Sequence, residues 1–110
     1  MDLTREDALV FFRMMWTDMQ DELGDNPSFD QRCDYKGKWI NAKFPYRHVR
    51  HNCFLCEYVN HKDMDSCKRC PIDWGGDGLC ENVCEKMYGP GVDWRVSPIS
   101  EVLALPERKT

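Results

Sequence analysis

The clearest pattern of hydrophobic and polar positions lies near the N-terminus, between residues 4 and 23. At 100° per residue, the apolar side chains of this segment fall on one arc of about 160°. They are Ala8, Leu9, Phe11, Phe12, Met15, Trp16, Met19 and Leu23. Thr4 and Asp7 have the spacing of a capping box, and Gly24 suits a helix end. We therefore predict an amphipathic helix over residues 4–23.

Val10 and Met14 fall outside this arc, so the apolar face is wide for a small domain. The simpler interpretation is that the whole arc is core. The alternative is that part of it, including Phe11 and Trp16, faces a partner protein or a second copy of the chain. We therefore expect the chain to be either a monomer or a homodimer.

The pattern after Asn26-Pro27 is weaker. Ser28 is suited to cap a second helix near 29–36, and Gly37 is suited to end it. Residues 38–46 alternate loosely between apolar and polar and predict a strand. Pro45 lacks an amide hydrogen, so this strand would lie at a sheet edge.

The C-terminal third predicts a short helix over residues 79–88, which contains Cys80 and Cys84, and then a final helix. Ser97 is in position to cap it, with Pro98 in the favoured first turn, and Pro106 stops it after Leu105. Upstream, Pro71 stiffens the chain, and the apolar side chains of Ile72 and Trp74 are expected to face the core.

Length and charge narrow the classes of protein. The chain has 110 residues, which favours a single domain over residues 1–110, and its net charge is −4. The first thirty residues hold eight acids and two bases, residues 31–70 hold four acids and nine bases, and the remainder holds seven acids and four bases. The simpler interpretation is that the acidic and basic segments neutralise each other in the folded domain. The alternative is that the basic middle segment forms a surface for an acidic partner.

There is no run of apolar residues long enough to span a membrane, so we expect no membrane association. The first residues lack the features of a secretory signal, so we expect a cytoplasmic protein. Its seven cysteines are then expected to be reduced thiols, and an odd number excludes complete pairing within one chain.

Four of these cysteines form two Cys-x-x-Cys pairs, Cys53/Cys56 and Cys67/Cys70. Pairs at this separation are typical of a tetrahedral zinc site, because each tight turn directs two sulfurs inward. Four thiolates fill the coordination shell, so the predicted Zn²⁺ is structural rather than catalytic. Nearby cations at Arg50, His51, Lys68 and Arg69 would offset the thiolate charge.

The ligand set has alternatives. Cys80 could replace one of the four ligands, as could His51 or His61. Cys84 lies one helical turn after Cys80 and is either near the metal or a buried thiol, whereas Cys33 is expected in the core. An iron–sulfur cluster is a further alternative.

The basic segment 47–69 raises two other functions. Arg47, Arg50, Lys68 and Arg69, with aromatic neighbours, predict a surface that binds nucleic acid or an acidic partner. Asn60-His61-Lys62 resembles part of an HNH-like metal-dependent nuclease, although the Asp-His dipeptide of that family is missing. No phosphate-binding loop, nucleophile motif or carboxylate pair predicts another enzyme, so we expect no catalytic residues.

The motifs Cys53-Phe54-Leu55-Cys56-Glu57-Tyr58 and Cys67-x-x-Cys70-Pro71, followed by Trp74, resemble small cysteine-rich accessory proteins of bacteriophages. Met15-Trp16 and the Leu105–Arg108 tail add to the resemblance. It implies a phage-encoded protein in a bacterial host cell that binds and modulates or inhibits a host protein. The fold expected is α-rich with little sheet, in which an N-terminal and a C-terminal helix pack on a zinc core held by four cysteines.

Overall fold

The computed structural model describes residues 4–44, 55, 70–74 and 92–107. The helices whose bounds lie within these ranges are α1 (Arg5–Leu23), α2 (Phe29–Lys43) and the short α3 (Ile99–Leu103), and Leu55 is also helical. The described residues form no β-sheet, and their β-type pairing is one isolated antiparallel bridge between Ile72 and Glu107. The described part is therefore helix-rich, as expected.

The prediction of α1 is confirmed at both ends. The Thr4 side chain accepts a hydrogen bond of 3.1 Å from the Asp7 amide, which satisfies one of the free amides of the first turn. Gly24 ends the helix at a φ of +84°, a conformation that a residue with a side chain rarely adopts. The buried face carries six residues of the predicted arc: Ala8, Leu9, Phe12, Met15, Trp16 and Met19.

The prediction for residues 29–46 is wrong in its second half. Helix α2 continues through Gly37 to Lys43, so the described residues 38–43 are helical rather than a strand. Gly37 is tolerated as a helical residue, and no atom beyond its own stretch of helix lies within 4 Å of where a Cβ would be. The buried positions of α2 are Arg32, Lys36, Trp39 and Ile40, which have helical spacing.

Helix α2 begins as predicted at Ser28. The Ser28 side chain accepts a hydrogen bond from the Gln31 amide, and the Gln31 side chain accepts one from the Ser28 amide. This reciprocal pair is a complete capping box. The sequence prediction found the capping serine but not its partner.

Two α2 side chains donate hydrogen bonds to acids of α1. Trp39 Nε1 lies 2.8 Å from Asp18 Oδ2. Tyr35 pairs with Glu22, and burial, with that hydrogen bond and the charges of Glu22, Asp18 and Asp21, raises the pKa of Tyr35 to about 12. Because hydrogen bonds are directional, these contacts fix the register of the two helices more closely than apolar packing alone would.

The predicted C-terminal helix is confirmed over Ile99–Leu103, but its predicted cap is wrong. Ser97 gives no side-chain cap to α3; its hydroxyl instead accepts a hydrogen bond from the Asp93 amide. The first turn of α3 is satisfied by Asp25, which follows α1. The Asp25 carbonyl accepts from Ile99 N at 2.8 Å, and its carboxylate accepts from Ser100 N and Ser100 Oγ.

The expectation for Ile72 and Trp74 is confirmed, since both side chains are fully buried. The Trp74 ring packs edge-on against Phe12 of α1, with 5.8 Å between ring centroids. None of the described helices combines the length and the apolar character needed to cross a membrane.

Candidate functional site

Most of the predicted metal site lies outside the described residues. This applies to Cys53, Cys56 and Cys67, and to the alternative ligands His51, His61, Cys80 and Cys84. Cys70 is described, as is Leu55, which lies between the cysteines of the first pair. Within the described ranges, no group of three or more His, Cys, Asp or Glu residues is arranged to hold a metal ion.

Cys70 and Leu55 both belong to the hydrophobic core. Cys70 is 8% exposed and Leu55 is 1% exposed, and both are members of the buried cluster that includes the apolar face of α1. Each of the two Cys-x-x-Cys motifs therefore contributes at least one residue to the same core. The burial of Cys70 places one of the four predicted sulfur ligands where water has little access.

Cys33 was expected in the core, but its side chain is only partly buried. Cys33 is on α2 and is half-buried, outside the fully buried positions of that helix. Its neighbour Arg32 takes the buried position instead, because the face of α2 that packs on the domain includes residues 32, 36, 39 and 40.

The segment that leaves Cys70 contacts three distant parts of the chain. The Asp73 amide donates to the Pro106 carbonyl at 2.9 Å, next to the bridge between Ile72 and Glu107. The Val92 amide donates to the Trp74 carbonyl at 3.0 Å. With the Phe12–Trp74 ring contact, residues 70–74 join α1, the residues before α3 and the C-terminal segment.

The predicted partner-binding residues divide into three groups. Arg47, Arg50, Lys68 and Arg69 lie outside the described residues. Trp16 is only 1% exposed, so its side chain is core, and Phe11 is half-buried with an edge-on contact to Phe44 at 5.1 Å. The simpler interpretation of the α1 arc therefore holds for Trp16.

The apolar residues that α1 does expose are the two outside the predicted arc. Val10 is 52% exposed and Met14 is 42% exposed. They are four residues apart, so they occupy the same side of the helix. They provide apolar surface on α1 that a partner could reach.

A buried arginine, which sequence reasoning missed, joins α2 to the residues before α3. Arg32 donates from Nε to the Pro27 carbonyl at 3.0 Å, and from one terminal nitrogen to the Trp94 and Ser97 carbonyls. Burial lowers the pKa of Arg32 from its ordinary value, while Asp25 and Asp93 act to raise it. The sequence signal for the burial of Arg32 was its helical spacing with Trp39 and Ile40. This signal was missed because two of the four residues on that face, Arg32 and Lys36, are cations.

Lys36 lies one turn after Arg32 and is buried in a different way. Its Nζ stands 3.7 Å from the centre of the Trp94 ring and 6.0 Å from that of Trp16. Aromatic faces attract a cation through their quadrupole, which compensates in part for lost hydration. Phe29 covers Trp94 with a centroid separation of 5.7 Å.

Comparisons with known proteins found no match to the chain among protein-family models, curated proteins or solved structures. The resemblance to phage accessory proteins therefore stays a prediction.

Proposed function

We propose that this chain is a phage-encoded, zinc-binding interaction protein that binds a bacterial host protein and modulates or inhibits it. The zinc has a structural role, held by Cys53, Cys56, Cys67 and Cys70, and the surface of the folded domain makes the contact. The phage origin and the host target rest on the resemblance of the cysteine motifs.

The observation that carries the metal part is the burial of Cys70 and Leu55 in one hydrophobic core. A residue of each cysteine motif is thereby anchored to the same body of side chains. The chemistry of four thiolates favours a closed zinc shell whose binding energy supports folding. In this proposal the cysteine thiolates bind the zinc ion, and the ion cross-links the two Cys-x-x-Cys motifs.

The metal part is tested by native mass spectrometry of the chain purified under reducing conditions. We expect one Zn²⁺ per chain in the unaltered protein and in Cys33→Ser, because Cys33 lies on α2 outside the motif. Cys70→Ser is expected to lose or weaken the metal. An unaltered chain without stoichiometric metal would refute the zinc site.

The partner part is supported by the exposure of Val10 and Met14 on one side of α1. Apolar side chains that are exposed in the free protein contribute most to binding when the partner covers them fully. We expect Val10→Glu and Met14→Glu to abolish capture of a specific host protein while Asn41→Glu, on the exposed part of α2, preserves it. Equal capture by all variants would remove this surface from the proposal.

A further inference from the structure

We infer that the exposed face of α1 around Val10 and Met14 binds a basic amphipathic helix of the partner, with Lys or Arg on both sides of its apolar residues. The inference rests on the proposed function, because it concerns the contact that these two residues make with a host protein. It goes further by assigning the charge and the secondary structure of the segment that covers them.

The exposed face of α1 is apolar in the middle and acidic towards both ends. At 100° per residue, Glu6, Asp7 and Asp21 lie within about 60° of Val10, and all three are exposed. At 1.5 Å per residue, Asp7 precedes Val10 by about 4.5 Å along the axis, and Asp21 follows Met14 by about 10.5 Å. The apolar pair is therefore bracketed by carboxylates over a length of about 21 Å.

These carboxylates are not used by the ion pairs of the folded chain. Within the described part of the molecule, Glu6, Asp7 and Asp21 form no ion pair. The one cation at the margin of the face is Arg13, which lies about 60° from Val10 on the side opposite to Asp7. Three acids and one base leave this face with a net charge of −2.

The last turn of α1 is acidic, although a cation is favoured there. The C-terminal end of a helix carries partial negative charge, so carboxylates in the last turn are unfavourable. Asp21 and Glu22 lie in this turn, which contains no base. Their charges, together with that of Asp18, help to raise the pKa of Tyr35 on α2. A Lys or Arg of a partner would meet both these carboxylates and the helix end.

Charge distinguishes the partner helix from the other possible occupants. In an antiparallel second copy with Val10 opposite Met14, Glu6 would lie opposite Asp18, and in a parallel copy each acid would lie opposite itself. Like charges that face each other oppose association. Nucleic acid is polyanionic and is repelled by the same face. A helix suits the apolar pair, because anchors three or four residues apart pack against side chains with the spacing of Val10 and Met14.

The test selects peptides of about twenty residues from a random display library on the unaltered chain, and then measures their affinity by fluorescence anisotropy. We expect enriched peptides to carry apolar residues three or four apart, with Lys or Arg on both sides. Val10→Glu should weaken binding by at least about tenfold. Raising the salt concentration from about 50 mM to about 500 mM should also weaken it, because exposed charge pairs are screened.

A matched pair of neutral substitutions separates the charge of the face from the stability of the fold. Asp21→Asn removes a carboxylate from the C-terminal turn of α1, so it should preserve or slightly raise the urea midpoint. It should nevertheless weaken the peptide by about two- to fivefold at low salt. Asp34→Asn removes an acid of α2 that pairs with Lys38, and it should leave the affinity unchanged. Equal effects on affinity would refute the assignment of charge to this face.

Three results would overturn the inference. The first is enrichment of neutral or acidic peptides, and the second is a selection that yields no peptide dependent on Val10. The third is a dimer in analytical ultracentrifugation that Val10→Glu dissociates, because a second copy would then cover the face.

Capture from host lysate separates this failure from that of the proposed function. Capture that requires Val10 but is unaffected by Asp21→Asn and by high salt would refute the basic helix and keep the host contact. Capture that does not require Val10 would refute both.

Discussion

α1 and α2 are neighbouring helices, yet they bury different kinds of side chain. The buried face of α1 is apolar throughout, whereas that of α2 combines Arg32 and Lys36 with Trp39 and Ile40. Apolar contacts are non-directional, so α1 gains stability from burial in almost any close orientation. Hydrogen bonds from a buried cation are directional, so α2 is held in one orientation. Stability thus comes mainly from the apolar face of α1, whereas the specific orientation of the helices comes mainly from the hydrogen bonds of α2.

The largest expected effect is on the apolar side of this comparison. Phe12→Ala removes a fully buried ring that contacts the rings of Trp16 and Trp74. We expect the free energy of unfolding to fall by about 3–5 kcal/mol, measured by urea denaturation. Val10→Ala, on the exposed side of α1, should change it by less than about 0.5 kcal/mol. Similar losses in the two variants would mean that α1 does not face the core as described.

The next effect separates the two buried cations of α2. Arg32→Met leaves the carbonyls of Pro27, Trp94 and Ser97 without their donor, and we expect a loss of about 2–4 kcal/mol in urea denaturation. Lys36→Met places an apolar chain against the Trp94 and Trp16 rings and should change stability by less than about 1 kcal/mol. Equal losses would show that charge, rather than hydrogen-bond geometry, is what α2 requires at these positions.

A smaller effect tests the continuity of α2. Gly37→Ala is expected to raise the free energy of unfolding by about 0.5–1 kcal/mol, because alanine restricts the unfolded chain and its added Cβ meets no other part of the described molecule within 4 Å. Gly24→Ala is the contrasting variant. Its φ of +84° disfavours a side chain, so it should lower stability. Destabilisation by Gly37→Ala in thermal melts would argue for a break in α2.

The smallest effect concerns the exposed carboxylate that joins α1 to α3. Hydrogen bonds from the Ser100 backbone and side chain lower the pKa of Asp25 from its ordinary 3.8. Since the folded pKa lies below the unfolded one, Asp25 stabilises the fold fully above pH 3.8 and loses this contribution as pH falls through its folded pKa. Unfolding of the unaltered chain and of Asp25→Asn should therefore differ near neutral pH and converge in acid. A constant difference would contradict this role.

The parts of the fold that were predictable depend on local signals. α1 was found because its apolar spacing, Thr4 and Gly24 all indicate the same boundaries. The end of α2 was missed because Gly37 has the local character of a helix stop, while the contacts that carry the helix past it come from α1. Tertiary contacts can override the low helix propensity of a single glycine. Here the residues beyond Gly37, Trp39 and Ile40, are buried, so the helix continues.

The same distinction applies to the candidate site. The cysteine spacing is a local pattern, so a ligand set could be predicted from sequence, although the structure describes only Cys70 among its four members. The helical spacing of Arg32 could indicate its burial, but its hydrogen-bond acceptors at Trp94 and Ser97 could not be predicted, because they are more than sixty residues away. The cap of α3 was assigned to Ser97 for the same reason, since Asp25 is 75 residues from Ser100.

The hydrogen bond between Val92 and Trp74 has a consequence for how this chain can vary in length. It brings together the two ends of the stretch that contains Cys80 and Cys84, so added residues there would enlarge a closed loop without separating its ends. The entropy of closing such a loop grows slowly, by about 0.6 kcal/mol for each doubling of its length. Closure entropy therefore contributes only a small part of the cost of any change in length between Trp74 and Val92, as long as the hydrogen bond between these two residues is kept.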